Sequence, residues 1–177
     1  MILLVHAHPH PRQSVANRAL LDAVRNLPGL TVQSLYDAYP DFDIDPAAER
    51  ARLDAARLVI WQHPIHWYGA PALLKLWFEE VLSYGYAYGE GGTALHGKDC
   101  LWVATTGGPP DWYTPDGPHG HEFSAFAPAV KQTARFCGTN WLPPLVVHAA
   151  HHIGADGLAA QGAAYRKRLQ DWIDTHG

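Results

Sequence analysis

The feature that most constrains this chain is a regular alternation of short apolar runs with longer segments of helical periodicity. Short apolar runs bounded by polar residues are typical of strands that are buried on both faces of a sheet. The predicted strands cover residues 2–5, 30–36, 58–61, 101–104 and 145–147. The predicted helices cover residues 14–27, 46–56, 71–82, 123–136 and 158–174, with Asp45 as N-cap of the second. This alternation predicts an α/β fold with a parallel, doubly wound sheet.

The strand order follows from two further observations. The second predicted strand is more polar than the others, which suits the edge of a sheet. Crossovers between parallel strands are right-handed, so few strand orders remain. We therefore predict a three-layer sandwich in which helices cover both faces of a five-stranded parallel sheet of order 2-1-3-4-5. The 177 residues fit a single domain, 1–177, with one core.

Ligands of such sheets bind at the carboxyl ends of the strands, near the point where the strand order reverses. The loop after the first strand enters a helix near Ser14. A helix N-terminus presents free N–H groups and a positive dipole end, which together can hold a phosphate. Ser14, Asn17 and His8 are the candidate side chains for that phosphate. Alternatively, Ser14 only caps the helix and His8 is a solvated loop residue.

The loops after the third and fourth strands suit a flat ligand. Trp67 and Tyr68 follow the third strand, where aromatic side chains can line a pocket or simply pack under the next helix. The fourth strand ends in Thr105-Thr106-Gly107-Gly108, whose glycines either admit a ligand close to the backbone or form a plain turn. This loop continues to Gly120 and is long for an α/β connection, which favours a function.

Several other classes of protein are disfavoured. There is no GxxxxGK[ST] motif for a nucleotidase and no GxSxG elbow for a hydrolase. Residues 89–94 match GxGxxA but follow a helix and precede a strand, the reverse of a dinucleotide fingerprint. The net charge of −4 gives no reason to expect nucleic-acid binding. The absence of a signal peptide or long apolar run suggests the cytoplasm.

The twelve histidines raise the alternative of a metal site. Zinc needs three or four converging ligands. Pro9 and Pro11 interrupt the first group of histidines, and no acidic residue stands beside either group. We therefore predict no functional metal site and interpret these histidines as surface residues or a fortuitous weak site. The two groups are His6, His8 and His10, and His148, His151 and His152.

Six motifs, which together span most of the chain, resemble the NAD(P)H dehydrogenase (quinone) family of flavodoxin-like flavoproteins. In order they are Ala7-His8-Pro9 with Ser14-x-x-Asn17, residues 36–43, residues 62–77, residues 85–88, Gly91-Gly92, and residues 105–108. The resemblance implies a flavodoxin-like fold and a bound flavin, FMN rather than the alternative FAD because the chain is short. The S/T-x-T-G-x-T phosphate loop of electron-carrier flavodoxins is absent, so the resemblance is to the reductases.

The resemblance also implies which residues hold the flavin and act on it. Tyr113 and His119 match a Tyr and a His that the family's quinone reductases place after the TTGG loop, and they are the expected catalytic residues. NADPH or NADH would deliver a hydride to the flavin, and a quinone would then take two electrons. The expected flavin-binding residues are His8, Ser14, Val15, Ala16, Asn17, Ile65, His66, Trp67, Tyr68, Thr105, Thr106, Gly107 and Gly108.

Within the family, four segments are most similar to the ancillary oxidoreductases of glutathione-regulated potassium-efflux systems. They are residues 36–43, 61–64, 94–97 and 140–144. This similarity implies a homodimer and a membrane potassium-efflux transporter as partner, with the protein peripheral at the inner face of the membrane. The alternative is a regulatory subunit of that transporter in which redox turnover is incidental.

Overall fold

The computed structural model describes residues 1–11 and 13–176. Its strands are β1 (Ile2–His6), β2 (Leu30–Ser34), β3 (Leu58–Pro64), β4 (Asp99–Thr105), β5 (Asn140–Trp141) and β6 (Leu145–Val147). Its helices are α1 (Ala16–Val24), α2 (Leu35–Ala38), α3 (Pro46–Ala55), α4 (Ala72–Val81), α5 (Pro128–Phe136) and α6 (Gly154–His176). Two 3₁₀ turns, Pro110–Trp112 and Phe123–Phe126, lie between β4 and α5.

The sheet is parallel throughout, with strands in the order β2-β1-β3-β4-β5, so the predicted order is confirmed. The predicted single strand at the last position is wrong in one respect. Two short strands share that place, because β5 pairs with the start of β4 and β6 with its end. Pro143 and Pro144 lie between them, and proline has no N–H to donate to the neighbouring strand.

Two predicted segments change conformation part-way. The second strand ends at Ser34, and residues that we assigned to it begin α2 instead. The Ser34 hydroxyl donates to the Asp37 carboxylate (2.6 Å), which favours a turn there. Leu35 is buried in the core from the helix, so its apolar side chain does not indicate a strand. The predicted helix over 123–136 is a 3₁₀ turn followed by α5, which starts at Pro128, where a missing N–H costs nothing.

Two apolar layers, one on each face of the sheet, hold the strand ends in place. On one face, Trp61, Trp77 and Trp102 pack with α3, α4 and α5. On the other, α1 and α6 pack closely, since a Cβ on Gly162 would lie 3.0 Å from the Ala23 Cβ. Asp45 caps α3 as predicted, accepting from the Ala48 N–H at 3.0 Å. No helix in the part of the chain that the structure describes is both long and apolar enough to cross a membrane.

Candidate functional site

A cavity of about 350 Å³ opens where β1 leads into α1. The amides of Val15, Ala16 and Asn17 have no acceptor among the described residues, as expected at the first turn of a helix. The Ser14 hydroxyl and the Asn17 side-chain oxygen are buried and have no hydrogen-bond partner among these residues, so Ser14 does not cap α1. Unpaired donors at a positive helix end suit an anion. The cavity is lined by His8, His10, Gln13, Ser14, Val15, Ala16, Asn17, Ala150 and His151.

Buried hydrogen bonds join this cavity to the ends of β3 and β4. The Asn17 side-chain amide donates to the Thr105 hydroxyl at 2.6 Å. The Gln62 side-chain amide donates to the Asn17 carbonyl oxygen at 2.8 Å. Gln62 is fully buried, and its own Oε1 has no partner among the described residues. Sequence analysis missed Gln62 as a residue of this site, because a polar residue at a strand end gives no sign of which helix it faces.

The loop after β3 is a tight two-residue turn at Trp67 and Tyr68. His66 and Gly69 bracket it, and their N–H and C=O groups pair reciprocally at 3.0 Å. Trp67 has φ 48° and Tyr68 has φ 65°, so both adopt the left-handed conformation that Asn and Gly usually occupy in such turns. Each costs roughly 1–2 kcal/mol for a residue with a side chain. Trp67 is nonetheless 94% exposed and Tyr68 49%, so this strained turn presents two aromatic rings outward.

A histidine inside the sheet fixes the strand from which that turn begins. The Trp102 indole N–H donates to His63 Nε2, and His63 Nδ1 donates to the Pro64 carbonyl oxygen, both at 2.8 Å. Burial lowers the pKa of His63 to about 4, although its bond to Pro64 opposes the change. His63 is therefore neutral at pH 7 and acts as a fixed link between β4 and the end of β3.

The loop after β4 packs tightly against the aromatic residues that follow it. The Thr106 hydroxyl donates to the Gly108 carbonyl oxygen (2.9 Å) and lies 2.9 Å from His148 Nδ1. Since the hydroxyl proton is used on Gly108, His148 carries its own proton on Nδ1. A Cβ on Gly108 would lie 2.9 Å from the Trp112 ring, so only glycine lets these residues close on the loop.

Tyr113 and His119 meet as a stacked pair. Their ring centroids are 4.3 Å apart with 26° between the planes, because the intervening loop folds back on itself. Tyr113 is buried. The Tyr68 hydroxyl lies 3.4 Å from His119 Nδ1, while His119 Nε2 is buried without a partner among the described residues. The turn after β3 and the loop after β4 thus converge on one pair of titratable rings.

Our interpretation of the two histidine groups as surface residues is wrong for His6, which is buried, and for His148. His148 is half-buried, and its ring centroid lies 5.1 Å from that of Tyr113. Although His151 is exposed as a residue, it lines the cavity at α1, and its ring would lie 3.9 Å from a Cβ on Gly107. The two residues join the third loop to the first. Their positions depend on how the segment after β6 folds back, which the local sequence does not indicate.

The remaining predicted site residues lie around these contacts. His66 lies edge-on to His8, with ring centroids 6.4 Å apart. The Ile65 N–H donates to the Thr105 carbonyl oxygen at 2.8 Å. Phe123 and Phe126 pack against Tyr113 at 5.4 and 6.1 Å and were not predicted for the site. Among residues 1–11 and 13–176, no group of three or more His, Cys, Asp or Glu side chains is arranged to hold a metal ion.

Comparison with known proteins bears on this geometry. The family model described as "Flavodoxin-like fold" matches residues 1–173. The chain belongs to this flavodoxin-like family. The glutathione-regulated potassium-efflux system ancillary protein KefF of Enterobacter sp. (strain 638) is 47% identical to it over 176 residues, which cover 99% of each chain. The predicted family resemblance is therefore confirmed.

Solved structures share both fold and length with this chain. A Streptomycin violaceusniger chain described as a thermophilic tryptophan halogenase is 37% identical, with TM-score 0.90 and 94% and 97% of the two chains covered. General stress protein 14 of Treponema denticola, in complex with FMN, is 32% identical, with TM-score 0.85 and 98% of each chain covered. A P. pentosaceus protein described as an NADPH-quinone reductase is 26% identical, with TM-score 0.86 and 95% and 96% covered.

Proposed function

We propose that this protein is an FMN-dependent NAD(P)H:quinone oxidoreductase. The observation that carries the proposal is the convergence at one sheet edge of an anion-binding cavity with the Tyr113–His119 pair. The relatives support FMN as the cofactor and quinone reduction as the activity, because one is an FMN complex and another an NADPH-quinone reductase. We do not propose halogenation, although a third relative is described as a halogenase, because one fold hosts many chemistries.

The residues at the cavity fit the phosphate end of FMN. The amides of Val15, Ala16 and Asn17, which have no acceptor among the described residues, are donors for phosphate oxygens, and the Ser14 hydroxyl is a further one. A phosphate there would satisfy this buried hydroxyl, which has no partner among the described residues and is costly to leave unpaired. The flat ring system would lie against the Trp67–Tyr68 turn and the Thr106–Gly108 backbone, where the nearest atom to a Cβ on Gly107 would be 3.9 Å away. FMN would supply two-electron chemistry, taking a hydride from NAD(P)H and giving two electrons to a quinone.

The overall reaction consumes one NAD(P)H, one quinone and one proton, and yields NAD(P)⁺ and a hydroquinone. The chain must therefore hold a proton close to the reacting ligands. Tyr113 can donate its phenol proton, and His119 can hold or replace that proton. Their stacked contact keeps both on the same side of the site. A donor fixed where negative charge develops lowers the barrier without reorganisation during the reaction.

The experiment begins with the cofactor. The protein should carry, or take up, one flavin per chain, and the absorption spectrum and mass of the released molecule should identify FMN. Anaerobic mixing with NADPH or NADH should bleach the flavin absorbance, and a quinone should restore it. Absence of binding by both FMN and FAD at micromolar protein would refute the proposal, and comparison of the bleaching rates gives the NADH or NADPH preference.

We also propose that the protein is one domain over residues 1–177 and works as a homodimer. The strained turn exposes Trp67 and Tyr68, and Trp112 is 44% exposed beside the same site. Adjacent exposed aromatic residues usually mark a surface that another protein covers, and a two-fold dimer would cover them on both copies at once. Light scattering at tens of micromolar protein should give twice the chain mass. A flavin-bound, active monomer would contradict this.

A role beside a potassium-efflux transporter is the second candidate, and the similarity to KefF favours it. On this proposal the protein binds the transporter from the inner face of the membrane, with turnover either contributing to regulation or incidental to it. Deletion of the gene should lower potassium efflux triggered by electrophiles. Restoration of efflux to wild-type level by the slow Tyr113→Phe, His119→Gln variant would indicate a regulatory subunit, whereas reduced efflux would indicate an enzyme whose turnover matters. Unchanged efflux, in a strain that has the transporter and no second ancillary protein, would count against either form.

A further inference from the structure

The cavity at the start of α1 is surrounded by imidazoles. His8, His10 and His151 line it, and His66 lies edge-on to His8. His6, two residues before His8, is buried, and its Nε2 has no partner among the described residues. No described lysine, arginine or carboxylate lines the cavity. Arg12 belongs to the same loop and lies outside the described residues.

The surroundings of His6, His8 and His66 favour the neutral form of these three rings. Burial, followed by the effects of His6, His66, His10 and His151, lowers the pKa of His8 to about 4. Burial lowers the pKa of His6 to about 4 as well, against the opposing charge of Asp37. The pKa of His66 is lowered first by burial and then by His10. His8 Nδ1 accepts the His10 N–H at 3.1 Å, so neutral His8 presents its proton on Nε2. A second proton would go to Nδ1 and replace the bond from the His10 N–H.

A phosphate reverses this balance. It carries about 1.5–2 negative charges at pH 7, and one opposite charge at about 4 Å from a partly buried imidazole raises its pKa by roughly three units. We propose that His8, in a cavity that His10 and His151 also line, supplies counter-charge for the flavin phosphate by taking up a proton as FMN binds. This inference rests on the proposed function, because FMN is the ligand concerned.

The consequence is a preference for the phosphorylated flavin that depends on pH. A group whose pKa rises on binding strengthens binding as pH falls, so FMN affinity should decrease from pH 6 to pH 8. The second pKa of the phosphate itself, near 6, acts in the opposite direction and reduces the effect. The net decrease is about fivefold for FMN. Riboflavin lacks the phosphate, and its affinity should not change over this range.

The test is calorimetric titration of the full-length, flavin-free protein with FMN and with riboflavin, in buffers of different ionisation enthalpy. We expect uptake of about half a proton per FMN at pH 7 and none with riboflavin. The double variant His8→Gln, His151→Gln should lose the uptake and the pH dependence, while retained riboflavin binding shows that it is folded. His152→Gln is the matched control, because His152 is exposed and does not line the cavity.

The outcomes separate this inference from the proposed function. FMN binding without proton uptake, or equal uptake with riboflavin, overturns the inference and leaves the oxidoreductase proposal in place. The same holds if the double variant keeps wild-type uptake. Failure of FMN to bind at any pH overturns the proposed function and the inference together.

Discussion

The two adjacent glycines of the loop after β4 provide a matched pair of variants, because their surroundings differ sharply. A Cβ on Gly108 would lie 2.9 Å from Trp112 Cε3 and 3.1 Å from His119 Nε2, whereas the nearest atom to a Cβ on Gly107 is 3.9 Å away. Neither glycine has a positive φ. Both Gly→Ala changes stiffen the unfolded chain equally. The difference between them therefore isolates the crowding, which costs about 1–3 kcal/mol in a packed site.

We predict that flavin-free Gly108→Ala is less stable than flavin-free Gly107→Ala by about 1–3 kcal/mol in urea unfolding. Once loaded with FMN, Gly108→Ala should also be reduced more slowly by NAD(P)H, because its methyl group displaces the Tyr113–His119 pair. Weakened FMN binding by Gly107→Ala, with its fold intact, would show that the flavin approaches that backbone closely. Equal urea midpoints for the two variants would refute the packing argument.

Three other predictions address the site and the core. Tyr113→Phe and His119→Gln should each slow flavin reduction on the order of tenfold while FMN affinity hardly changes. Wild-type reduction rates in rapid mixing would show that neither residue takes part in the reaction. Ser14→Ala removes a buried hydroxyl that can donate to the phosphate, so FMN binding should weaken by about 1.5–3 kcal/mol, and an unchanged Kd in fluorescence titration would contradict this. The pKa of His63 is about 4 when folded and near 6.5 when unfolded, so its stabilising effect is complete above pH 6.5. Between pH 6.5 and pH 4 the free energy of unfolding therefore falls by about 1.4 kcal/mol for each pH unit. His63→Gln should flatten the urea-midpoint decrease between pH 7 and pH 5, and an unaltered slope would show that other groups cause it.

The sequence predicted the layers and the strand order because buried parallel strands leave uninterrupted apolar runs. It also predicted the three loops, since the carboxyl ends of neighbouring parallel strands meet at one edge. The strand prediction failed where an apolar residue is buried from a helix and not from a strand, as Leu35 is in α2. The two-residue β5 is too short to give any periodic pattern.

The polar contacts that connect different elements of the core and site were beyond prediction, because they join residues far apart along the chain. Thr106 and His148 are 42 positions apart, and Gln62 and Asn17 are 45. Glu49 is the extreme case, since it is fully buried although it lies in a helix of ordinary surface composition. Its carboxylate accepts from Gln33, Tyr39, Arg52 and Trp77. Only the folded arrangement of β2, α3, α4 and the residue that follows α2 supplies those four donors.

The divided last position of the sheet affects how the protein behaves at high concentration. An unbroken outer strand offers a row of free N–H and C=O groups on which strands of other molecules can assemble. Here β5 and β6 are two and three residues long, and two prolines without N–H groups separate them. The Pro143 carbonyl oxygen already accepts from Arg168. This side of the sheet therefore gives an incoming strand no continuous ladder, which protects the folded protein against edge-to-edge aggregation.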